Sequence, residues 1–149
     1  MPKVNHADII REARTWRGTP FHHQARIKGH GVDCAQLVVG VGQALGLIGE
    51  YPRQYVRYGR VPRPDYMRTR LEEFMDEIPA NEAVPGDVLW IYWRDARPDL
   101  PMHLAFFTDL HGRGILHAYE EAGRVVETAL SAEVERRVDS WWRYRGVVD

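Results

Sequence analysis

In the first half of the chain, apolar residues recur every three or four positions in three segments, a spacing typical of amphipathic helices. The segments run from about 6 to 16, 33 to 46 and 65 to 78. Asn5 and Asp33 are good N-cap residues for the first two, and Gly46 suits the end of the second. Their apolar positions are Ile9, Ile10, Ala13 and Trp16; Leu37, Val38, Val41, Ala44 and Leu45; and Met67, Leu71, Phe74, Met75 and Ile78. We therefore predict three helices, with a loop over 21–32 and an irregular connection over 50–64.

The second half of the chain changes to short runs of apolar and β-branched residues between turn sequences, which is typical of antiparallel strands. The predicted strands are VLWIYW (88–93), HLAFFT (103–108), GILHAYE (114–120), VVETAL (125–130) and a last strand within WWRYRGVV (141–148). The tryptophans and tyrosines of the first and last runs are interpreted mainly as packing residues. Helices followed by an antiparallel sheet indicate one α+β domain over residues 1–149.

Two glycines, Gly40 and Gly42, lie inside the second predicted helix. A glycine within a helix costs about 1 kcal/mol relative to alanine. We therefore expect another part of the chain to pack closely against the helix backbone at these two positions.

The composition narrows the classes of function. The 149 residues include 20 basic and 21 acidic ones, a net charge of −1. A general nucleic-acid binder carries a basic surplus, so no nucleic-acid partner is expected. No stretch approaches the ~18 consecutive apolar residues of a membrane span, and the N-terminal residues contain no apolar signal-peptide core. We therefore expect a chain with neither a membrane span nor a signal peptide.

Cys34 is the only cysteine, so it forms no internal disulfide and no multi-cysteine zinc site. It follows Asp33 in the first turn of the second predicted helix. There the helix dipole lowers a thiol pKa, and unpaired backbone N–H groups can hold an oxyanion. The position therefore suits a nucleophile. The alternative is that Cys34 is a small buried apolar residue, as lone cysteines commonly are.

A nucleophilic thiol needs a base, and two histidines lie on neighbouring predicted strands. His103 opens HLAFFT, and His117 lies in the next strand, fourteen residues later. If these strands pair, His103 is within reach of His117 and can take the thiol proton while His117 orients it. The alternative is two partly buried strand histidines with satisfied hydrogen bonds.

The order of nucleophile, base and orienting residue is that of papain-like enzymes, and the chain resembles the NlpC-type cell-wall cysteine peptidases of bacteria. The resemblance extends from about Trp16 to the last strand. Its motifs are Gly18-Thr19-Pro20-Phe21, Val32-Asp33-Cys34, Leu37-Val38, Pro85-Gly86-Asp87-Val88-Leu89, His103-Leu104-Ala105 and Leu116-His117-Ala118. The segment FHHQARIKGHGVDC (21–34) is most similar to the branch found in phage tails and related gene-transfer particles.

The resemblance implies a papain-like fold whose helices pack on an antiparallel sheet that closes partly into a barrel. It implies hydrolysis of peptidoglycan stem peptides, commonly between γ-D-glutamate and a diamino acid, with no metal or organic cofactor. Cys34 is then the nucleophile, His103 the general base and His117 the third polar residue. The lack of a signal peptide is then explained by delivery to the cell wall on a phage or tail-like particle, whose proteins become expected partners.

The chain departs from the family pattern beside the nucleophile. Phe21 stands where many members have tyrosine, and Ala35 and Gln36 stand where many have Ser-Gly. These changes affect the expected substrate preference more than the chemistry.

The expected substrate-binding residues are Phe21, His23, Gln24, Asp33 and Gln36. His23 and Gln24 have an equal alternative role, which is to organise their loop through hydrogen bonds to backbone. A carboxylate beside the thiol raises the thiol pKa, so Asp33 is expected to cap the second helix or to face the amino group of the substrate.

Three other interpretations stay open at this point. The departures at Phe21, Ala35 and Gln36 fit a catalytically silent module that docks in a phage tail or binds cell-wall material. The same triad also suits an amidase or acyltransferase acting on another amide, because a triad specifies acyl transfer and not the acyl group. A zinc site formed by His23, His30 and Cys34 is the least favoured, since its spacing matches no structural zinc pattern.

Overall fold

The computed structural model describes residues 3–59, 63–93 and 101–149. The helices are α1 (His6–Arg14), α2 (Cys34–Ala44), α3 (Pro64–Phe74) and α4 (Ala132–Arg136). The strands are β1 (Arg26–Ile27), β2 (Gly31–Val32), β3 (Met75–Ile78), β4 (Val88–Ile91), β5 (His103–Thr108), β6 (Gly114–Tyr119), β7 (Arg124–Ala129) and β8 (Val138–Tyr144). Within these ranges, no helix has both the length and the apolar character needed to cross a bilayer.

The first two helices begin where the sequence predicts. The Asn5 side chain accepts a hydrogen bond from the Asp8 backbone N–H, and the Asp8 side chain accepts one from the Asn5 backbone N–H. The two hydrogen bonds form a capping box at the start of α1. The Asp33 side chain accepts from the backbone N–H of Gln36 and caps α2. The capping role expected of Asp33 is therefore confirmed, and Cys34 is the first residue of α2.

Six antiparallel strands form the main sheet in the order β3-β8-β4-β5-β6-β7, and β1 and β2 form a separate hairpin. The α+β architecture is thus confirmed. Strands β3 and β7 end the sheet on opposite sides and, among the described residues, do not pair with each other. The sheet is therefore open, and the partial closure into a barrel that the resemblance implies is not observed.

The third predicted helix ends four residues early. Helix α3 stops at Phe74, and Met75–Ile78 forms β3, which pairs with residues 141–144 of β8. Apolar side chains at helical spacing are compatible with a helix through Ile78, but the ladder to β8 takes the backbone hydrogen bonds instead. Pairing with a distant strand sets this boundary, and the spacing of apolar residues along the helix does not predict it.

Smaller differences occur at other boundaries. Strand β4 ends at Ile91 and does not extend to residue 93, while β8 begins at Val138, before the predicted WWRYRGVV run. The predicted loop over 21–32 contains the β1–β2 hairpin. The strands HLAFFT and GILHAY are confirmed in the predicted positions.

The sheet buries apolar side chains on both of its faces. One face packs against α1, α2 and α3, and its cluster includes Trp90, Phe106, Leu116 and Trp142. The other face carries a smaller cluster of Leu89, Ile91, Ala105, Phe107, Ile115 and Trp141, against which Val134 of α4 packs. Helix α2 therefore lies on a rigid support, and its N-terminus points at the start of β5.

Candidate active site

A groove of about 370 Å³ opens at the N-terminus of α2, between this helix and strands β5 and β6. Cys34 lies in its wall together with His103. The remaining lining residues come from the loop before β1, the start of α2, the connection before α3, α3 itself, the segments after β4 and before β5, the end of β6 and the β6–β7 turn. They are Phe21, His23, Asp33, Ala35, Tyr58, Gly59, Met67, Trp93, Met102, Ala118, Tyr119, Glu120 and Glu121. The groove thus joins the predicted nucleophile and the predicted base.

The Cys34 thiol sits among backbone donors. The N–H groups of Cys34, Ala35 and Leu104 contact the sulfur and favour its thiolate form. Leu104 directly follows His103, so the start of β5 lies against the start of α2. Cys34 is partly exposed toward the groove, which leaves the residue accessible to a ligand.

The resting thiol is nevertheless protonated. Burial of the sulfur, followed by the charge of Asp33, raises the pKa of Cys34 to about 12, and the backbone donors offset only part of this rise. The sequence-based expectation of a lowered pKa at a helix N-terminus is therefore wrong for the resting site. The physical reason is that desolvation and an adjacent carboxylate outweigh the helix dipole.

His103 and His117 form a direct hydrogen bond. Nε2 of His103 and Nδ1 of His117 are 2.6 Å apart, and both residues are buried. The sheet register explains the contact, because Phe107 of β5 pairs with Ile115 of β6. His103 is four positions from Phe107 and His117 is two positions from Ile115, so both imidazoles point to the same face of the sheet. The prediction that pairing of these strands brings the two imidazoles together is confirmed.

His117 is suited to accept a hydrogen bond from His103. Burial lowers the pKa of His117 to about 4, so its imidazole is neutral at pH 7. A neutral ring with its proton on Nε2 leaves Nδ1 as an acceptor, whereas an imidazolium has none. In this tautomer His117 accepts from Nε2–H of His103, and the hydrogen bond strengthens when His103 gains a proton.

Trp93 covers the histidine pair, a role that the sequence did not indicate. Its ring centroid lies 4.6 Å from that of His103 and 5.2 Å from that of His117. The Tyr119 ring, which also contacts Trp93, stacks on His117. Aromatic faces stabilise a cationic imidazole and keep water from its hydrogen bond. The signal that could have predicted this contact is the pairing of β4 with β5, because Ile91 pairs with His103 and the residues after Ile91 therefore lie close to it.

The structure brings three of the five predicted substrate-binding residues to the groove and leaves two outside it. Phe21, His23 and Asp33 line the groove, although Asp33 is mostly buried. Gln24 is not among the lining residues, and its side chain donates to the Tyr58 backbone carbonyl at 2.6 Å. This hydrogen bond matches the alternative role of Gln24, which is to organise the loop through contacts with backbone. Gln36 has no exposed surface and contacts protein side chains, so a direct contact with substrate is not available to it.

Tyr58 is a second groove residue that the sequence did not reveal. Its hydroxyl donates to Asp33 Oδ2 and accepts from Gln36 Nε2 at 3.2 Å. It belongs to the connection before α3, which is rich in tyrosine and arginine and shows no periodicity. Only the folded chain places its hydroxyl, so sequence spacing carried no signal for it.

The zinc alternative is not supported by the arrangement of side chains. Within residues 3–59, 63–93 and 101–149, no group of three or more histidine, cysteine, aspartate or glutamate side chains is placed to hold a metal ion. His23 and Cys34 both line the groove, but His30 is not among the lining residues.

No protein-family model and no curated protein matches the sequence, whereas solved structures match over nearly the whole chain. A lipoprotein-like NLP/P60 family protein of Staphylococcus aureus has a TM-score of 0.64 at 17% identity, covering 100% of this chain and 45% of its own. The NlpC/p60 domain of the peptidoglycan hydrolase SagA has a TM-score of 0.58 at 22% identity, with coverages of 94% and 99%. This chain therefore spans less than half of the S. aureus protein and nearly all of the SagA domain.

A third similar structure has no catalytic activity. RipD of Mycobacterium tuberculosis is described as a non-catalytic NlpC/p60 domain protein adapted to peptidoglycan binding, with a TM-score of 0.58, 13% identity, and coverages of 94% and 96%. At these identities the likeness establishes architecture and leaves activity to be argued from the site. The chain has the fold of the NlpC/P60 proteins, a papain-like arrangement of N-terminal helices on an antiparallel sheet.

Proposed function

We propose that this protein is a cysteine peptidase of the NlpC/P60 family that hydrolyses stem peptides of peptidoglycan. The observation that carries the proposal is that Cys34 and His103 line one groove, while the buried His117 is hydrogen-bonded to His103. Cys34 acts as nucleophile, His103 as general base and His117 as the residue that orients His103. The protein requires no metal or organic cofactor for this chemistry.

The chemistry follows from the positions of the protons. Nε2 of His103 is engaged by His117, so Nδ1 takes the thiol proton as the sulfur attacks the carbonyl carbon of the amide. Because the resting thiol has a raised pKa, proton transfer accompanies the attack and does not precede it. The tetrahedral oxyanion is received by backbone N–H groups at the start of α2. His103 then protonates the leaving amine, and water hydrolyses the thioester.

The substrate class rests on the resemblance and on the structural relatives. SagA is a peptidoglycan hydrolase that shares the fold. The resemblance points to the bond between γ-D-glutamate and a diamino acid such as diaminopimelate. The proposed place of action is the cell wall, reached on a phage or tail-like particle whose proteins are the proposed partners. Phe21, His23 and Asp33 are the proposed substrate contacts within the groove.

The test is digestion of purified diaminopimelate-type peptidoglycan by the wild-type protein and by Cys34→Ala, with the fragments identified by mass spectrometry. We expect a new fragment that ends in D-glutamate with its γ-carboxyl freed by hydrolysis, and its absence with Cys34→Ala. Cleavage between the glycan and the first amino acid would indicate an amidase instead. Equal fragment release by both proteins would overturn the assignment of Cys34.

A second candidate is a catalytically silent module that binds cell-wall material. The specific observation in its favour is the raised pKa of Cys34, together with the fold shared with non-catalytic RipD. A silent module co-sediments with peptidoglycan, and neither wild type nor Cys34→Ala releases fragments. The peptidase releases fragments only when Cys34 is present, so one pair of proteins distinguishes the two functions.

A further inference from the structure

Tyr58 is held by hydrogen bonds at its side-chain hydroxyl and at its backbone carbonyl. Its hydroxyl donates to Asp33 and accepts from Gln36, while its backbone carbonyl accepts from the Gln24 side chain at 2.6 Å and lies 3.2 Å from Nε2 of His23. The His23 ring also packs edge-on against the Tyr58 ring. These contacts fix Tyr58 as part of the groove wall.

The Asp33 carboxylate depends on Tyr58 for one of its donors. Asp33 Oδ1 accepts from the Gln36 backbone N–H at 2.8 Å, and Oδ2 accepts from the Gln24 backbone N–H at 2.8 Å and from the Tyr58 hydroxyl. Asp33 immediately precedes Cys34, and its negative charge opposes formation of the thiolate. Each donor on Asp33 disperses part of that charge.

Gln36 explains why the Tyr58 hydroxyl points toward Asp33. Arg26 donates to Oε1 of Gln36, which orients the buried amide so that Nε2 faces Tyr58 at 3.2 Å. An N–H donor on the phenol oxygen leaves the phenol proton free to go to Asp33. Burial and the neighbouring carboxylate also raise the pKa of Tyr58, so that proton stays in place at neutral pH. Arg26, Gln36, Tyr58 and Asp33 thus form one hydrogen-bonded chain ending beside Cys34.

We propose that Tyr58 is a positioning residue for Cys34, which holds the Asp33 carboxylate and disperses its charge, and that Gln36 sets the orientation of the Tyr58 hydroxyl. The inference deepens the proposed function, and its importance for catalysis rests on that function. Its effect on the thiol itself is independent of any substrate. Gln36 then has a role other than the substrate contact that the sequence suggested.

Several other charged or titratable groups face the same groove and contribute to any pH dependence of Cys34. The groove lining includes His23, His103, Tyr119, Glu120 and Glu121, and the buried His117 is hydrogen-bonded to His103 behind this lining. The test must therefore change Tyr58 alone and compare it with a tyrosine of the same segment that does not contact Asp33.

The experiment measures the rate of alkylation of Cys34 by iodoacetamide across pH, in wild type, Tyr58→Phe and Tyr55→Phe. Tyr55 is the matched control, since its hydroxyl contacts the exposed Glu73 and it does not line the groove. Tyr58→Phe is expected to move the profile upward by about half to one pH unit, which is about threefold to tenfold slower alkylation at a fixed pH. Tyr55→Phe should superimpose on wild type.

A double-mutant cycle establishes that Tyr58 acts through Asp33. Asn is itself a good N-cap, so Asp33→Asn removes the charge while the start of α2 is retained. In the Asp33→Asn background, Tyr58→Phe should change the alkylation rate less than about twofold. An equal shift in both backgrounds, or no shift in the wild-type background, would overturn the inference.

The two proposals fail in distinguishable ways. Alkylation requires no peptidoglycan, so a Tyr58-dependent shift without any fragment release supports the positioning role and contradicts the peptidase. With an active peptidase, Tyr58→Phe should lower kcat with a shifted pH profile, whereas a purely structural defect lowers activity at all pH values along with the Tm.

Discussion

Burial of His117 links the candidate chemistry to stability at the level of a single residue. The folded protein keeps this imidazole neutral, with its pKa lowered from 6.5 to about 4 by burial. In the unfolded chain the same group titrates near its ordinary value. Between these two values the unfolded state binds a proton that the folded state does not, so stability falls as the pH decreases through this window.

We expect His117→Asn to weaken the acid sensitivity of folding, because asparagine can accept from His103 but does not titrate. Between pH 7 and pH 4.5, wild type should lose more unfolding free energy than the variant, by on the order of 2 to 3 kcal/mol. Urea denaturation at the two pH values measures this difference. Equal losses in both proteins would show that His117 is not held neutral.

The Cys34 thiol should react slowly at neutral pH. Burial and Asp33 raise its pKa, so alkylation of the wild type is expected to increase steadily above pH 8.5, the range in which an ordinary cysteine is already half ionised. The control is a short cysteine peptide alkylated under the same conditions. A plateau reached below pH 8 would contradict the environment described for the sulfur.

At the residue scale, the sequence predicted the histidine contact and missed the two aromatic residues around it. Strand alternation and a short turn were enough to bring His103 and His117 together. Trp93 lies beyond the end of β4, and its contact depends on how β4 pairs with β5. Tyr58 belongs to a connection without periodicity, so its contact depends on the folded chain. The pKa of Cys34 was misjudged because local position reveals the helix dipole, whereas burial is a property of the fold.

At the scale of elements, α2 carries the nucleophile on a closely packed helix. A Cβ added at Gly40 would lie 2.6 Å from the Trp16 ring of the segment after α1, and one at Gly42 would lie 2.7 Å from Ile48. The close packing predicted for these two glycines is therefore confirmed. Such contacts fix the position of the helix, and with it the position of Cys34, against the rest of the domain.

Gly40→Ala should destabilise the protein although alanine is the better helix former. The gain of about 1 kcal/mol in helix propensity is outweighed by overpacking against Trp16, and we expect a net loss of about 1 to 2 kcal/mol. Gly49→Ala is the matched control, because nothing lies within 4 Å of the added methyl group. Thermal unfolding of both variants decides the matter, and a Gly40→Ala protein at least as stable as wild type would refute this packing.

At the scale of the whole molecule, a buried ionic network ties the N-terminal helix to the sheet, away from the groove. Asp87 has no exposed surface and accepts from His6 Nε2 at 2.9 Å and from Arg143 Nε at 2.9 Å. These contacts join α1, the start of β4 and β8. A buried carboxylate with these partners leaves uncompensated groups when it is removed.

Asp87→Ala should therefore cost about 3 to 5 kcal/mol in unfolding free energy. Asp76→Ala, which removes an exposed carboxylate paired with Arg145, should cost less than about 1 kcal/mol. Chemical denaturation compares the two. Similar small losses for both would mean that the Asp87 network contributes little to the fold.

The sequence predicted the order of the main helices and strands, but not that the sheet stays open. Capping residues and alternation are local signals, and they gave the starts of α1 and α2 and the full extent of β5. The pairing of Met75–Ile78 with β8 and the open sheet depend on contacts between distant segments. These were not available from spacing along the chain.

In the proposed function, Cys34 performs covalent catalysis on a peptidoglycan amide. The most direct measurement is the initial rate of cleavage of a soluble stem-peptide fragment containing the γ-D-glutamyl–diaminopimelate bond by wild type and by Cys34→Ala, with matching thermal unfolding curves. We expect a loss of at least about 10³-fold in kcat/KM for the variant. A Cys34→Ala protein that retains the fold and cleaves within tenfold of the wild-type rate would contradict it.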